Sequence, residues 1–247
     1  MSTSSLAKAK AKAKAEYSLS LRHAALIAGI AYLIAIFVTP YSWISPHIII
    51  GDTATTFESI STHEFLFRLA IACWLIVIVA DIVVAWALFH FFLPVNKSLS
   101  MLSMILRLIF APIMAIAVLQ WLYALQIITD AGSLAGDSLE TAKDQSMFFF
   151  SSYEYAVNIA FVVFGHHVGL TGYLVWRSNY VPSILGLLLM IAGVGYQIDT
   201  FASVISSGYA VNPLGFIVTV AVPAFFSEFI LALWLLIKGA RLSESAE

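Results

Sequence analysis

Six apolar runs, at 24–41, 65–93, 99–128, 147–176, 181–204 and 214–237, are separated by shorter polar segments. Each reaches the roughly 18 residues that carry a helix across hydrocarbon, too long for strands or for the core helices of a small soluble domain. The pattern predicts an all-α fold, a polytopic transmembrane bundle of six spanning helices over 22–241. A basic, flexible tail at 1–21 precedes it and a short tail at 242–247 follows. The turns Pro94-Val95-Asn96-Lys97 and Ser178-Asn179-Tyr180 are tight, so the second and third runs, and the fourth and fifth, should be antiparallel neighbours. The segments 42–64 and 129–146 are long enough to form loops over one mouth of the bundle. Pro112 and Pro223 lie inside the third and sixth runs and predict bends. Gly165, Gly169 and Gly172 on the fourth run, with Gly186, Gly193 and Gly195 on the fifth, predict a close helix crossing.

Composition sharpens this picture. The chain is 61% hydrophobic and only 11% charged, against about 25% charged in soluble domains, so it cannot cover a globular surface with polar groups. A formal charge of −2 gives no basic surface for nucleic acid, and none is expected as a partner. Cys73 is the single cysteine, which excludes an intrachain disulfide. Lysine and arginine alternate with the spans. Lys8, Lys10, Lys12, Lys14, Arg22, Lys97, Arg177, Lys238 and Arg241 fall on one side, and Lys143 alone faces Asp52, Glu58, Asp130, Asp137, Glu140 and Asp144 on the other. The positive-inside rule then puts both termini in the cytoplasm. The Ala-Lys repeat at 7–15 has lysines all round and no apolar stripe to dock, so it reads as a tail lying on anionic lipid rather than a cleaved signal. Tyr41, Trp43, Trp121 and Tyr123 are placed at the outer interface, and Trp176, Tyr180 and Trp234 at the inner one.

The informative residues are the ionisable ones inside the apolar runs. With a rise of about 1.5 Å per residue, Asp81 and Glu228 lie near mid-span, His166 and His167 slightly inward, and Arg107 roughly 9 Å toward the cytoplasm. Arg68, Glu154 and Asp199 lie roughly 12 Å toward the outside. Two layers are predicted: an inner cluster of Asp81, Arg107, His166 or His167, and Glu228, and an outer polar cluster of Arg68, Glu154, Tyr196 and Asp199. Four carboxylates share this interior with two arginines, so charge balance calls for a charged histidine, a protonated carboxyl or a bound cation. Ionisable groups at this depth serve proton or substrate pathways, or act as clamps that fix helix register.

Metal and cofactor chemistry has no pattern behind it. Adjacent His166 and His167 point about 100° apart on a helix, and no His pair at i,i+4 or His-x-x-Glu spacing accompanies them. His90, the partner a bis-histidine haem would need, lies toward the cytoplasmic end. Neither a metal nor a cofactor is expected. Nucleophile elbows and phosphate loops are absent from the sequence.

Three segments carry a family likeness: Gly169-Leu170-Thr171-Gly172-Tyr173-Leu174-Val175-Trp176-Arg177-Ser178, Val181-Pro182-Ser183-Ile184-Leu185-Gly186, and Gly193-Val194-Gly195-Tyr196-Gln197-Ile198-Asp199. With Arg22 and Ala25-Leu26-Ile27-Ala28-Gly29, Arg107-Leu108, and Trp234-Leu235-Leu236-Ile237-Lys238-Gly239, the chain over about 20–240 resembles the bacterial six-span membrane proteins grouped as domain of unknown function 4386. The resemblance implies a multi-pass protein of the bacterial inner membrane and brings no assigned reaction. The Ala-Lys tail and the His166-His167 pair are outside it. Three function classes follow, in order: binding or transport of a small molecule or protons, an accessory subunit of a membrane complex, and an intramembrane enzyme. No internal inverted repeat supports the first. Expected partners are membrane lipids, a small-molecule or proton ligand, and another membrane protein.

Overall fold

The computed structural model describes residues 19–49, 53–205, 220 and 222–242, with side chains in 43–50 and 51–54 outside that description. The Ala-Lys tail, most of the C-terminal tail, the Trp43 side chain and the first third of the predicted sixth span therefore lie outside the described residues. Within them the chain forms α1 (Leu21–Ile49), a short α2 (Thr53–Thr62), α3 (Glu64–Phe92), α4 (Lys97–Asp130), α5 (Asp137–Arg177), α6 (Ser183–Ile205) and α7 (Val222–Ile237), with single 3-10 turns after α4 and α7. Six of these, all but α2, are long and apolar enough to cross a membrane. The fold is all-helical, as the hydrophobic pattern predicts.

The six long helices pack mainly against their neighbours in chain order, and α7 closes the ring by packing on α1. Short turns dictate this. Asn96 caps α4, its side-chain oxygen accepting from the Leu99 N–H at 3.0 Å. Ser100 Oγ then donates to the Phe89 carbonyl of α3 at 2.8 Å. At the same end the Tyr180 hydroxyl donates to the Phe91 carbonyl at 2.8 Å, fastening the α5–α6 turn to α3. The crossing of α5 and α6 is backbone against backbone. A Cβ on Gly172 would sit 2.6 Å from the Gly186 carbonyl oxygen, and one on Gly186 2.5 Å from that of Gly172. Gly169 lies in the same crossing, its backbone N and Cα 2.7 and 2.8 Å from where a Cβ on Gly193 would sit, although a Cβ on Gly169 itself would meet nothing within 4 Å.

Two expectations are corrected. The segments at 42–64 and 129–146 are largely helix rather than loop, because α1 runs on to Ile49, α2 follows, and α5 begins at Asp137. At 41 residues α5 is about 60 Å long, twice the roughly 30 Å of hydrocarbon. Its polar first turns carry Asp137 and Glu140, acids that favour a helix N-terminus, and good helix formers such as Ala142 and Lys143. Second, Trp121 is buried in the bundle at 1% exposure instead of joining an interfacial belt. The bend predicted at Pro223 falls at the edge of the described residues, next to Val222 where the described α7 begins, and the segment before it lies outside them.

Candidate functional site

Arg107 is the organising residue of the interior. It lies on α4 and is 2% exposed, and each of its three side-chain nitrogens donates to another helix. Nε donates to Asp81 Oδ1 on α3 at 3.0 Å, and Nη2 donates to the same oxygen. Nη1 donates to the Tyr32 hydroxyl oxygen on α1 at 2.9 Å and meets His167 Nε2 on α5 at 3.1 Å. The guanidinium also rests on aromatic faces, 4.8 Å from the Tyr32 ring centre and 5.4 Å from that of Phe164. Asp81 and Arg107 form an ion pair with 5% and 2% of their side chains exposed. In such a place a lone charge would be expelled or neutralised, so each holds the other in its ionised form.

Geometry fixes the histidine as well. His167 Nδ1 lies 2.9 Å from the Ser103 carbonyl oxygen and 3.0 Å from Ser103 Oγ. A carbonyl can only accept, so Nδ1 carries the hydrogen. Arginine can only donate, so Nε2 must offer its lone pair. This assigns His167 from its partners as the neutral Nδ1–H tautomer. Ser103 Oγ continues the network to Thr171 Oγ1 at 2.9 Å. A recess beside it, lined by Ser100, Ser103, Met104 and His167, is too narrow for a water molecule.

Glu228 on α7 lies in electrostatic range of the same network. It is partly buried as a residue, and its Oε1 is sealed from the surface with no hydrogen-bond partner among the described residues. Arg107 and Asp81 both act on it electrostatically, and it acts in turn on Tyr32 and Tyr196. Asp81, Arg107 and His167 are thus in direct contact, with Glu228 in electrostatic range of the Asp81–Arg107 pair. His166 is not: it is exposed on the outer side of α5, its Nδ1 donating to the Val162 carbonyl at 2.7 Å within the same helix. The 100° step between adjacent helical residues sends one histidine in and the other out.

The outer polar cluster does not form as one group. Arg68 pairs with Glu64 one turn away on α3, at 2.6 Å, with 54% and 41% of the side chains exposed. Glu154 is exposed on α5, while Asp199 is partly buried on α6. Tyr196 is buried against Phe161 and Phe164 and belongs electrostatically with Glu228, Arg107 and Asp81. At the end of the bundle that carries α2, the interior is filled by rings instead. Trp121 stacks on Tyr153 at 4.1 Å and meets Phe67 at 5.3 Å.

This network falls wholly inside one family's signature, since residues 27–239 match the family described as Domain of unknown function (DUF4386). The chain belongs to the DUF4386 family. An uncharacterized protein of Archaeoglobus fulgidus is 33% identical over 169 residues, which is 68% of this chain and 83% of that relative. No solved structure matches the chain. Four members of the network in this DUF4386 chain, Tyr32, Ser103, Phe164 and Thr171, escape a reading that looks for charge. Two had a signal: Ser103 precedes Arg107 by four residues and Thr171 follows His167 by four, so each shares its partner's helix face.

Proposed function

We propose that this DUF4386 protein binds, and carries across the membrane, a proton or a small polar molecule, with the network around Arg107 and Glu228 as its working site. One observation carries the reading. Asp81 and Arg107 balance each other and His167 is neutral, so the sealed oxygen of Glu228 is an acid beyond what the interior needs for structure. A buried acceptor without a donor costs free energy and persists where function requires it. We place the protein in the bacterial inner membrane with both termini cytoplasmic, on the lysine and arginine distribution.

The test is proton uptake into liposomes holding the purified protein, followed with a trapped pH-sensitive dye. Uptake should exceed that of protein-free liposomes and fall to background in Glu228→Gln. Equal uptake with and without protein, together with no flux of small polar solutes, removes the reading. A second reading, an accessory subunit that uses the network as a clamp, is favoured by one observation: Arg107 is saturated with partners and the adjacent recess admits no water. Under it, substitutions at Asp81 or Arg107 would abolish accumulation of the protein, and with it that of a partner.

A further inference from the structure

Among the described residues around Arg107, three groups could hold an exchangeable proton: Asp81, His167 and Glu228. Hydrogen-bond geometry separates them. Asp81 Oδ1 receives two N–H groups of a guanidinium, which cannot give up its charge, so a proton on Asp81 would displace its own partner. His167 has both nitrogens committed, one donating to a backbone carbonyl and the other facing an arginine N–H. A second proton on Nε2 would point at the Arg107 cation. Of the three, only Glu228 has a sealed oxygen with no donor among the described residues, beside a pair whose charges already cancel.

We infer that Glu228 is the proton-holding group of this network and is neutral at rest, which rests on the proposed carrier reading only in treating the network as the working site. The described groups that interact with it electrostatically are Tyr32 of α1, Tyr196 of α6 and the Asp81–Arg107 pair. No cation among them is free, since Arg107 is already matched by Asp81. An ionised Glu228 would leave the interior with one net negative charge in hydrocarbon surroundings, and a bound proton removes it. Loss of that proton must therefore be matched by the arrival of a cation, either another proton or a small monovalent ion. Tyr32 is the natural neighbour for the exchange. Its oxygen accepts from Arg107, which leaves its own O–H able to donate to a carboxylate.

Infrared spectroscopy of the full-length protein in liposomes tests the assignment. At neutral pH the wild type should show the C=O stretch of a protonated carboxyl. Carbon-13 in glutamate side chains should move that band, and carbon-13 in aspartate should leave it in place. Glu228→Gln should remove it, while Glu154→Gln keeps it. Absence of the band, a band that moves with labelled aspartate, or one that survives Glu228→Gln overturns the inference. The two labelled wild-type samples decide between glutamate and aspartate without a variant, so poor folding of Glu228→Gln does not protect the idea. A present band without flux of protons or of small polar solutes would remove the carrier reading and keep this assignment. Flux without the band would do the reverse.

Discussion

Two regions of the bundle begin with similar inventories of charge and end in different states. Around mid-span, Asp81, Arg107 and His167 turn toward one another across three helices, with Tyr32 of a fourth completing the shell. At the α2 end, Arg68 finds Glu64 on its own helix and Glu154 is exposed, while the middle is packed with Phe67, Trp121 and Tyr153. The difference teaches that depth decides the cost of facing outward. Near the headgroups a long side chain reaches water by bending along its helix. At mid-span there is no water to reach, and partners must come from other helices.

Removing Arg107 should hurt most. Arg107→Gln leaves Asp81 buried beside Glu228 with no cation, and breaking one side of a buried pair costs about 3–5 kcal/mol. Thermal unfolding in detergent should show a large fall in Tm, or no folded protein to measure. Asp81→Asn in the same chain should recover part of that loss, because the stranded charge is gone. An Arg107→Gln protein with wild-type Tm would mean that the mid-span network is no more demanding than the α2 end, and the contrast would collapse.

The adjacent histidines give a smaller and cleaner test. His167→Ala strands one Arg107 N–H and removes the second hydrogen bond to the Ser103 carbonyl, which corresponds to about 1–3 kcal/mol. His166→Ala removes a side chain that bonds only to its own helix and should change stability by about 0.5 kcal/mol or less. Chemical denaturation of the two variants side by side measures the gap. Equal losses would show that orientation on α5 does not separate them. Tyr32→Phe should fall between, at about 1 kcal/mol, since Arg107 loses one neutral acceptor but keeps the ring beneath it.

Much of this was legible in the chain before its structure. Long apolar runs specify spanning helices because hydrocarbon permits few alternatives, and tight turns such as 94–97 specify neighbours. Asp81, Arg107 and Glu228 stood out because charge at that depth has no inert explanation. Rotation about each helix axis was the missing quantity. Rise per residue places Tyr196 beside Asp199 in depth but says nothing of its turn toward Phe161 and Phe164, and the same gap left His166 and His167 undivided. Hydropathy also starts the fourth run at Met147, ten residues after α5 begins, because the polar residues of 137–146 are helical through propensity rather than apolarity.

The smallest predicted effect bears on the α2 end. Arg68 and Glu64 are half exposed and one turn apart, the geometry of a surface helix pair. Arg68→Ala should therefore cost about 0.3–0.5 kcal/mol, a shift in Tm close to experimental scatter, and proton uptake should match the wild type. The acid left behind reaches solvent as readily as the arginine did, so nothing is stranded. A loss on the scale of Arg107→Gln would mean that Arg68 serves an ion partner across the bundle after all, and that depth alone does not set which charges must meet.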